Sequence, residues 1–166
     1  MKNSILITII TSAILLGACD TNTSERAIGF VTGDNSDAQW HLGTQTAIDV
    51  VNTVDELWSN QDFEGMRPYF ADSVVVIRPN GSTTNTFDSF VESFSAGDNA
   101  TWSYNYAFSV DLDPSVGGEH VQAGFQITYP ATEEREEYTN LQHESYYVVD
   151  GKIISLNQYS IRGDSQ

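Results

Sequence analysis

The run Trp102-Ser103-Tyr104-Asn105-Tyr106-Ala107-Phe108-Ser109-Val110-Asp111-Leu112 alternates large apolar residues with small or polar ones. A period of two is the pattern of a strand with one face buried. Asp113-Pro114-Ser115 and Gly117-Gly118 then supply a turn, and Val121, Ala123, Phe125, Ile127 and Tyr129 alternate on the way back. Folding the segment about that turn pairs Val110 with Val121, Phe108 with Ala123, Tyr106 with Phe125 and Tyr104 with Ile127. Both apolar sets then fall on one side, as a stable register requires. The sequence predicts a long antiparallel hairpin with Trp102, Tyr104, Phe108, Phe125 and Ile127 on its inner face.

Working outward, an acidic turn at Glu133-Glu134-Arg135-Glu136-Glu137 leads into a further strand ending at Val149, and Asp150-Gly151 makes a tight hairpin into residues 152–161. Upstream the period changes. Ala47, Val50, Val51, Val54, Leu57 and Trp58 form a helical stripe capped by Thr46, with Asp49, Asn52, Asp55 and Glu56 on the other side. A short second helix is expected over 62–70, broken near Pro68, and a strand at Val74 to Ile77 stops at Pro79-Asn80-Gly81. Phe87, Phe90, Val91 and Phe94 mark a third helix ending at Gly97. Helices first and a meander of strands after them make an α+β fold in a single domain over 44–162.

The charge balance narrows the function. The 166 residues include 23 acidic and 7 basic side chains, a formal charge of −16. So few cations cannot form the stripe that displaces counterions from a nucleic acid. Residues 1–19 form a leader: Lys2 precedes an apolar run from Ile5 to Leu16, too short to span a bilayer as a helix. Leu16-Gly17-Ala18-Cys19 resembles the lipobox of bacterial lipoproteins, which implies an acyl anchor on Cys19 and a place in the cell envelope. The alternative is an ordinary secretory signal cut near Ala18. Cys19 is the only cysteine, so disulfides and thiolate chemistry are excluded from the domain. Residues 20–43 read as a polar tether whose islands Ile28 to Val31 and Trp40 lie partly against the domain, and 163–166 as a tail.

Three stretches carry a family resemblance: Tyr69-Phe70-Ala71-Asp72-Ser73-Val74-Val75-Val76, the Pro79-Asn80-Gly81 turn before a Phe-rich helix, and Tyr146-Tyr147-Val148-Val149-Asp150-Gly151-Lys152-Ile153 with Tyr159. In this order they resemble the nuclear-transport-factor-2-like superfamily, in its SnoaL-like branch, over roughly 44–162. The resemblance implies a cone, in which a strongly curved antiparallel sheet wraps three helices and leaves a cavity beside the first. It also implies frequent dimers paired through the outer sheet face. The superfamily holds isomerases, cyclases, dehydratases, epoxide hydrolases and pocket proteins without known activity, so fold alone does not assign a reaction.

Motifs for phosphate loops, nucleophile elbows and zinc proteases are absent. Asp111, Asp113, Ser115 and Glu119 only faintly resemble a calcium loop, His41 lies near the tether and nothing fixes His120 and His143 on a common face, so no metal is expected. The informative pair is His143-Glu144, since only one of two adjacent strand residues can face the cavity. Inward-facing positions in related sequences correspond to Tyr146 and Val148. That parity turns Glu144 and Gln142 inward, toward Trp58 and Tyr69, and leaves His143 and Ser145 outside; with the opposite parity His143 and Gln122 become the pair of interest. Trp58, Tyr69, Tyr104, Tyr106, Gln142, Tyr146 and Tyr159 are the expected pocket walls. Two readings follow, neither needing a cofactor: a tethered, non-catalytic domain binding a small, largely apolar ligand or a partner segment, or a lyase, isomerase or hydrolase using Glu144 with Tyr and Gln donors.

Overall fold

The structure is a computed structural model that describes residues 27–93 and 99–163. Cys19 and the expected end of the third helix at Phe94 and Gly97 lie outside the described residues.

Strand β1 (His41–Leu42) comes first, then helix α1 (Gln45–Ser59), the single turn α2 (Phe63–Met66) and a 3₁₀ turn at Arg67–Tyr69. Strands β2 (Phe70–Ile77) and β3 (Thr83–Thr84) precede helix α3 (Phe87–Glu92). Four long strands complete the chain: β4 (Thr101–Asp111), β5 (Glu119–Tyr129), β6 (Tyr138–Val149) and β7 (Lys152–Gly163). The cap of α1 is Thr44 rather than Thr46, its hydroxyl accepting from the Ala47 N–H. Thr44 is itself fixed, because Glu119 accepts from its N–H at 2.5 Å and its hydroxyl at 2.7 Å, and from Ser109 Oγ at 2.7 Å. That strap ties the start of α1 to the β4–β5 hairpin. Gly43 makes it possible, since a Cβ there would sit 2.1 Å from Ser109 Oγ.

The seven strands run in the order β1-β4-β5-β6-β7-β2-β3. All neighbours are antiparallel except β2 and β7, which run parallel. The sheet expected to be antiparallel throughout is therefore mixed: β2 leaves the helical half in the same direction as β7, and the whole meander serves as the long crossover that a parallel pair needs. The sheet curls around α1, which packs across β4, β5 and β6. Ala47, Val50, Val51 and Val54 bury the inner stripe of α1. Phe70 of β2 packs against Phe87 and Phe90 of α3, with ring centroids 5.0 and 5.8 Å away, and closes the narrow end with Met66, Ile153 and Leu156. A fully buried side chain of this size contributes ~1.5–3 kcal/mol, so this cluster anchors the cone.

The β4–β5 hairpin forms, but not in the register that the alternation suggests. Trp102 pairs with Ile127 and Tyr104 with Phe125, then Asn105 bulges out and Tyr106 pairs with Gly124. One extra residue reverses the parity of everything beyond it. Ala107, Ser109 and Asp111 therefore face inward with Val121 and Ala123, and Tyr106 and Phe108 turn outward, 49% and 48% exposed. The expectation that Phe108 lines the inner face is corrected by that bulge. Gly124 accounts for it: the Tyr106 ring lies where a Cβ would project, with Cε1 2.1 Å from that position. Part of the stretch expected to be a tether makes contacts with the domain. Ile28 bridges Trp40, Trp40 packs edge-on against His120 at 5.4 Å, and His41–Leu42 joins the sheet beside β4.

Candidate functional site

Between α1 and the concave sheet lies a cavity of about 800 Å³. Its two walls differ in chemistry. One is aromatic and aliphatic, from Trp58 and Phe63 on the helical side to Trp102, Phe125 and Ile127 on β4 and β5. The other is polar, built by Asn140, Gln142 and Glu144 of β6 with Gln158 and Ser160 of β7. Tyr129 and Tyr138 stand at the ends of their strands, stacked 4.7 Å apart.

Glu144 forms the floor. It is 5% exposed and accepts from Gln142 Nε2 at 2.5 Å, Gln158 Nε2 at 2.7 Å and the Tyr146 hydroxyl. Burial pushes its carboxyl up, against the pull of the three donors, and the nearby Asp55 charge adds to the rise. Burial also raises Tyr146 well above its usual range, reinforced by the Glu144 charge. The parity inferred at 143/144 is thus the one observed: Glu144, Gln142 and Tyr146 face inward, His143 and Ser145 outward.

Asp55 was assigned to the polar side of α1, yet it lines the cavity and accepts from Trp102 Nε1 at 2.9 Å. Burial raises its carboxyl, partly opposed by the Trp102 bond. The spacing contains the signal: Val51, Val54, Asp55 and Trp58 stand at i, i+3, i+4 and i+7, one face of a helix. Gln158 was also missed. A register counted straight from Asp150-Gly151 sets Asn157 opposite Glu144, and the extra residue at Ile154 brings Gln158 there instead.

The remaining expected walls divide. Trp58, Gln142 and Tyr146 line the cavity. Tyr69 packs against the core without reaching it. Tyr104 stacks on Phe125 at 4.7 Å behind the apolar wall. Its hydroxyl is buried without a partner, and burial, with the Asp55 and Glu144 charges behind it, pushes it up to about 12. Tyr106 and Tyr159 are not pocket residues: both lie on the outer face, turned there by the bulges at Asn105 and Ile154. On that face the Tyr106 hydroxyl lies 3.2 Å from His143 Nδ1. His143 Nε2 lies 2.9 Å from Gln122 Oε1, and Gln122 Nε2 donates to Ser145 Oγ at 2.9 Å. Since Gln122 gives its amide to Ser145, its Oε1 accepts, so His143 donates through Nε2 and accepts from Tyr106 at Nδ1.

The calcium-like stretch serves the turn: Asp111 Oδ1 accepts from the Asp113 N–H at 2.8 Å and Asp113 Oδ1 from the Ser115 N–H at 3.0 Å. Among the described residues no group of three or more His, Cys, Asp or Glu is placed to hold a metal.

No protein-family model matches the sequence, and no curated protein matches it. Solved structures do match in fold. An NTF2-like protein from Burkholderia xenovorans is 14% identical with a TM-score of 0.57, over 72% of this chain and 92% of its own. A ketosteroid isomerase-like protein from Erwinia carotovora atroseptica is 10% identical with a TM-score of 0.55, over 70% of this chain and 94% of its own. An LEH-like epoxide hydrolase from M. tuberculosis is 13% identical with a TM-score of 0.54, over 71% and 84% respectively. At these identities the likeness is one of fold.

Proposed function

We propose that this chain, which has the nuclear-transport-factor-2-like fold, is an envelope-tethered small-molecule-binding module, anchored through Cys19 and non-catalytic. The observation that carries the binding reading is the cavity itself, with aromatic surface from Trp58, Phe63, Trp102 and Phe125 to take up apolar groups and polar side chains on β6 and β7 to orient what enters. Glu144 supports binding over catalysis. Both its oxygens already accept hydrogen bonds from neighbours on its own sheet, so it acts as a tie across β6 and β7. The outer face, with Phe108, Leu141, Tyr159 and Ile161 exposed, is where we place a homodimer contact.

A second reading, a cofactor-independent lyase, isomerase or hydrolase, is favoured by Asp55. It shares the cavity with Glu144, is held by one donor from Trp102 through Oδ1, and is raised toward the range useful to a general base. Native mass spectrometry of the protein purified from its own host tests the first reading: a small molecule released on denaturation supports it. Turnover of such a molecule, abolished in Asp55→Asn with the fold intact, would move the assignment to the second.

A further inference from the structure

We infer that the cavity takes an acidic amphiphile whose apolar body lies along Trp58, Trp102 and Ile127. Its terminal carboxylate or phosphate sits at the Tyr129–Tyr138 end, where Arg135 and Arg162 stack on a tyrosine that lines the cavity without lining it themselves. This deepens the ligand-binding reading above and rests on it.

The cations behave unusually. Arg135 is flanked in sequence by Glu133, Glu134, Glu136 and Glu137. Its guanidinium nevertheless turns to the tyrosine pair, 4.6 Å from the Tyr138 ring centroid and 5.7 Å from that of Tyr129. Arg162, from β7, reaches the same Tyr138 ring at 4.8 Å. In a chain with 23 acids and 7 bases a guanidinium ordinarily finds a carboxylate. Among the described residues neither of these forms an ion pair, whereas Arg67 pairs with both Glu64 and Asp88. Arg135 Nε is buried without a partner, and Nη1 makes only a long 3.4 Å bond to the Tyr138 hydroxyl.

The wall between the guanidiniums and the floor is also incomplete. Asn140 Oδ1 and Ser160 Oγ are buried without partners, although both residues line the cavity. Asn140 stands opposite Arg162 and Ser160 opposite Gln142, so the two unpaired atoms lie between the Tyr129–Tyr138 end and the Glu144 floor. Buried polar atoms of this kind are normally paired with protein, water or ligand. Hydroxyl or amide groups along one edge of a ligand would pair them.

Two fluorescent probes separate this proposal from its premise: 8-anilinonaphthalene-1-sulfonate, and N-phenyl-1-naphthylamine, which has the same rings without the sulfonate. Both are titrated into the full chain carrying Cys19→Ser, so that no acyl chain competes, and into the same chain with Arg135→Gln and Arg162→Gln together. The proposal expects the sulfonate-to-neutral affinity ratio to fall about tenfold in the double variant, with neutral-probe affinity held within about twofold. Displacement of the sulfonate by dodecanoate or by dodecyl phosphate then identifies the preferred oxyanion. An unchanged ratio overturns the proposal while leaving the pocket in place. If Trp58→Ala weakens neither probe, neither occupies the cavity, and the ligand-binding reading fails with the inference built on it.

Discussion

The Asp55 carboxylate accepts the indole N–H of Trp102 at 2.9 Å, joining α1 to β4 within the cavity lining. The bond fixes the width of the space between helix and sheet and satisfies a carboxylate that burial would otherwise leave costly. Trp102→Phe should cost ~1–3 kcal/mol, read as a lower urea midpoint at constant slope. Asp55→Asn keeps an acceptor for Trp102 and should retain most of that stability.

The buried carboxyls set a pH dependence. Glu144 and Asp55 are both raised above their unfolded values, so the folded state binds the extra protons. Their stabilising effect is full below the unfolded pKa and is lost as pH rises through the folded one. Glu119 works in the opposite sense. Burial pushes it up, but its bonds to Ser109 and Thr44 together outweigh that and hold it low, so its contribution disappears as pH falls through its folded pKa. Above pH ~4.5 the first pair dominates the difference between variants. Glu144→Gln should flatten the decline in melting temperature from pH 5 to 8; an unchanged slope would mean that Glu144 does not titrate there.

Self-association through the outer face should respond to charge placed on it. Phe108, the site of a Phe108→Glu test, is 48% exposed and is not among the residues that line the cavity. Sedimentation should show a dimer for the wild type and a monomer for the variant, with neutral-probe binding retained.

Anchoring is tested at Cys19. Cys19→Ser should abolish incorporation of a fatty-acid label and move the protein from the membrane fraction to the soluble fraction. Label and partition unaffected by the substitution would contradict a lipid anchor.

Much of this architecture was legible because it follows periodicity. The α1 stripe and the Asp150-Gly151 turn come from spacing, all four long strands were anticipated, and the inward parity of Glu144 follows from the family resemblance at Tyr146 and Val148. The misplacements come from single inserted residues. Alternation along β4 reads as unbroken because Tyr106 and Phe108 are as apolar as Trp102 and Tyr104, so composition conceals the bulge at Asn105. The one visible clue is Gly124, a glycine inside a strand, which marks a place where another side chain must approach closely. Asp55 was hidden differently: an acidic residue at a stripe position reads as solvated unless the cavity that receives it is already known. The guanidinium cluster was not legible at all, because Arg162 and Arg135 meet only through the tyrosine pair at the strand ends.

The central claim is that the space between α1 and the sheet holds a ligand, and filling that space tests it most directly. Ser160→Phe projects a ring from the polar wall without touching the Asp55–Trp102 bond. Native mass spectrometry of wild type and variant, each purified from the protein's own host, should show a bound small molecule on the wild type and none on Ser160→Phe, at equal thermal stability. Equal masses for the two proteins after correction for the substitution, with no species released from either on denaturation, would contradict the claim.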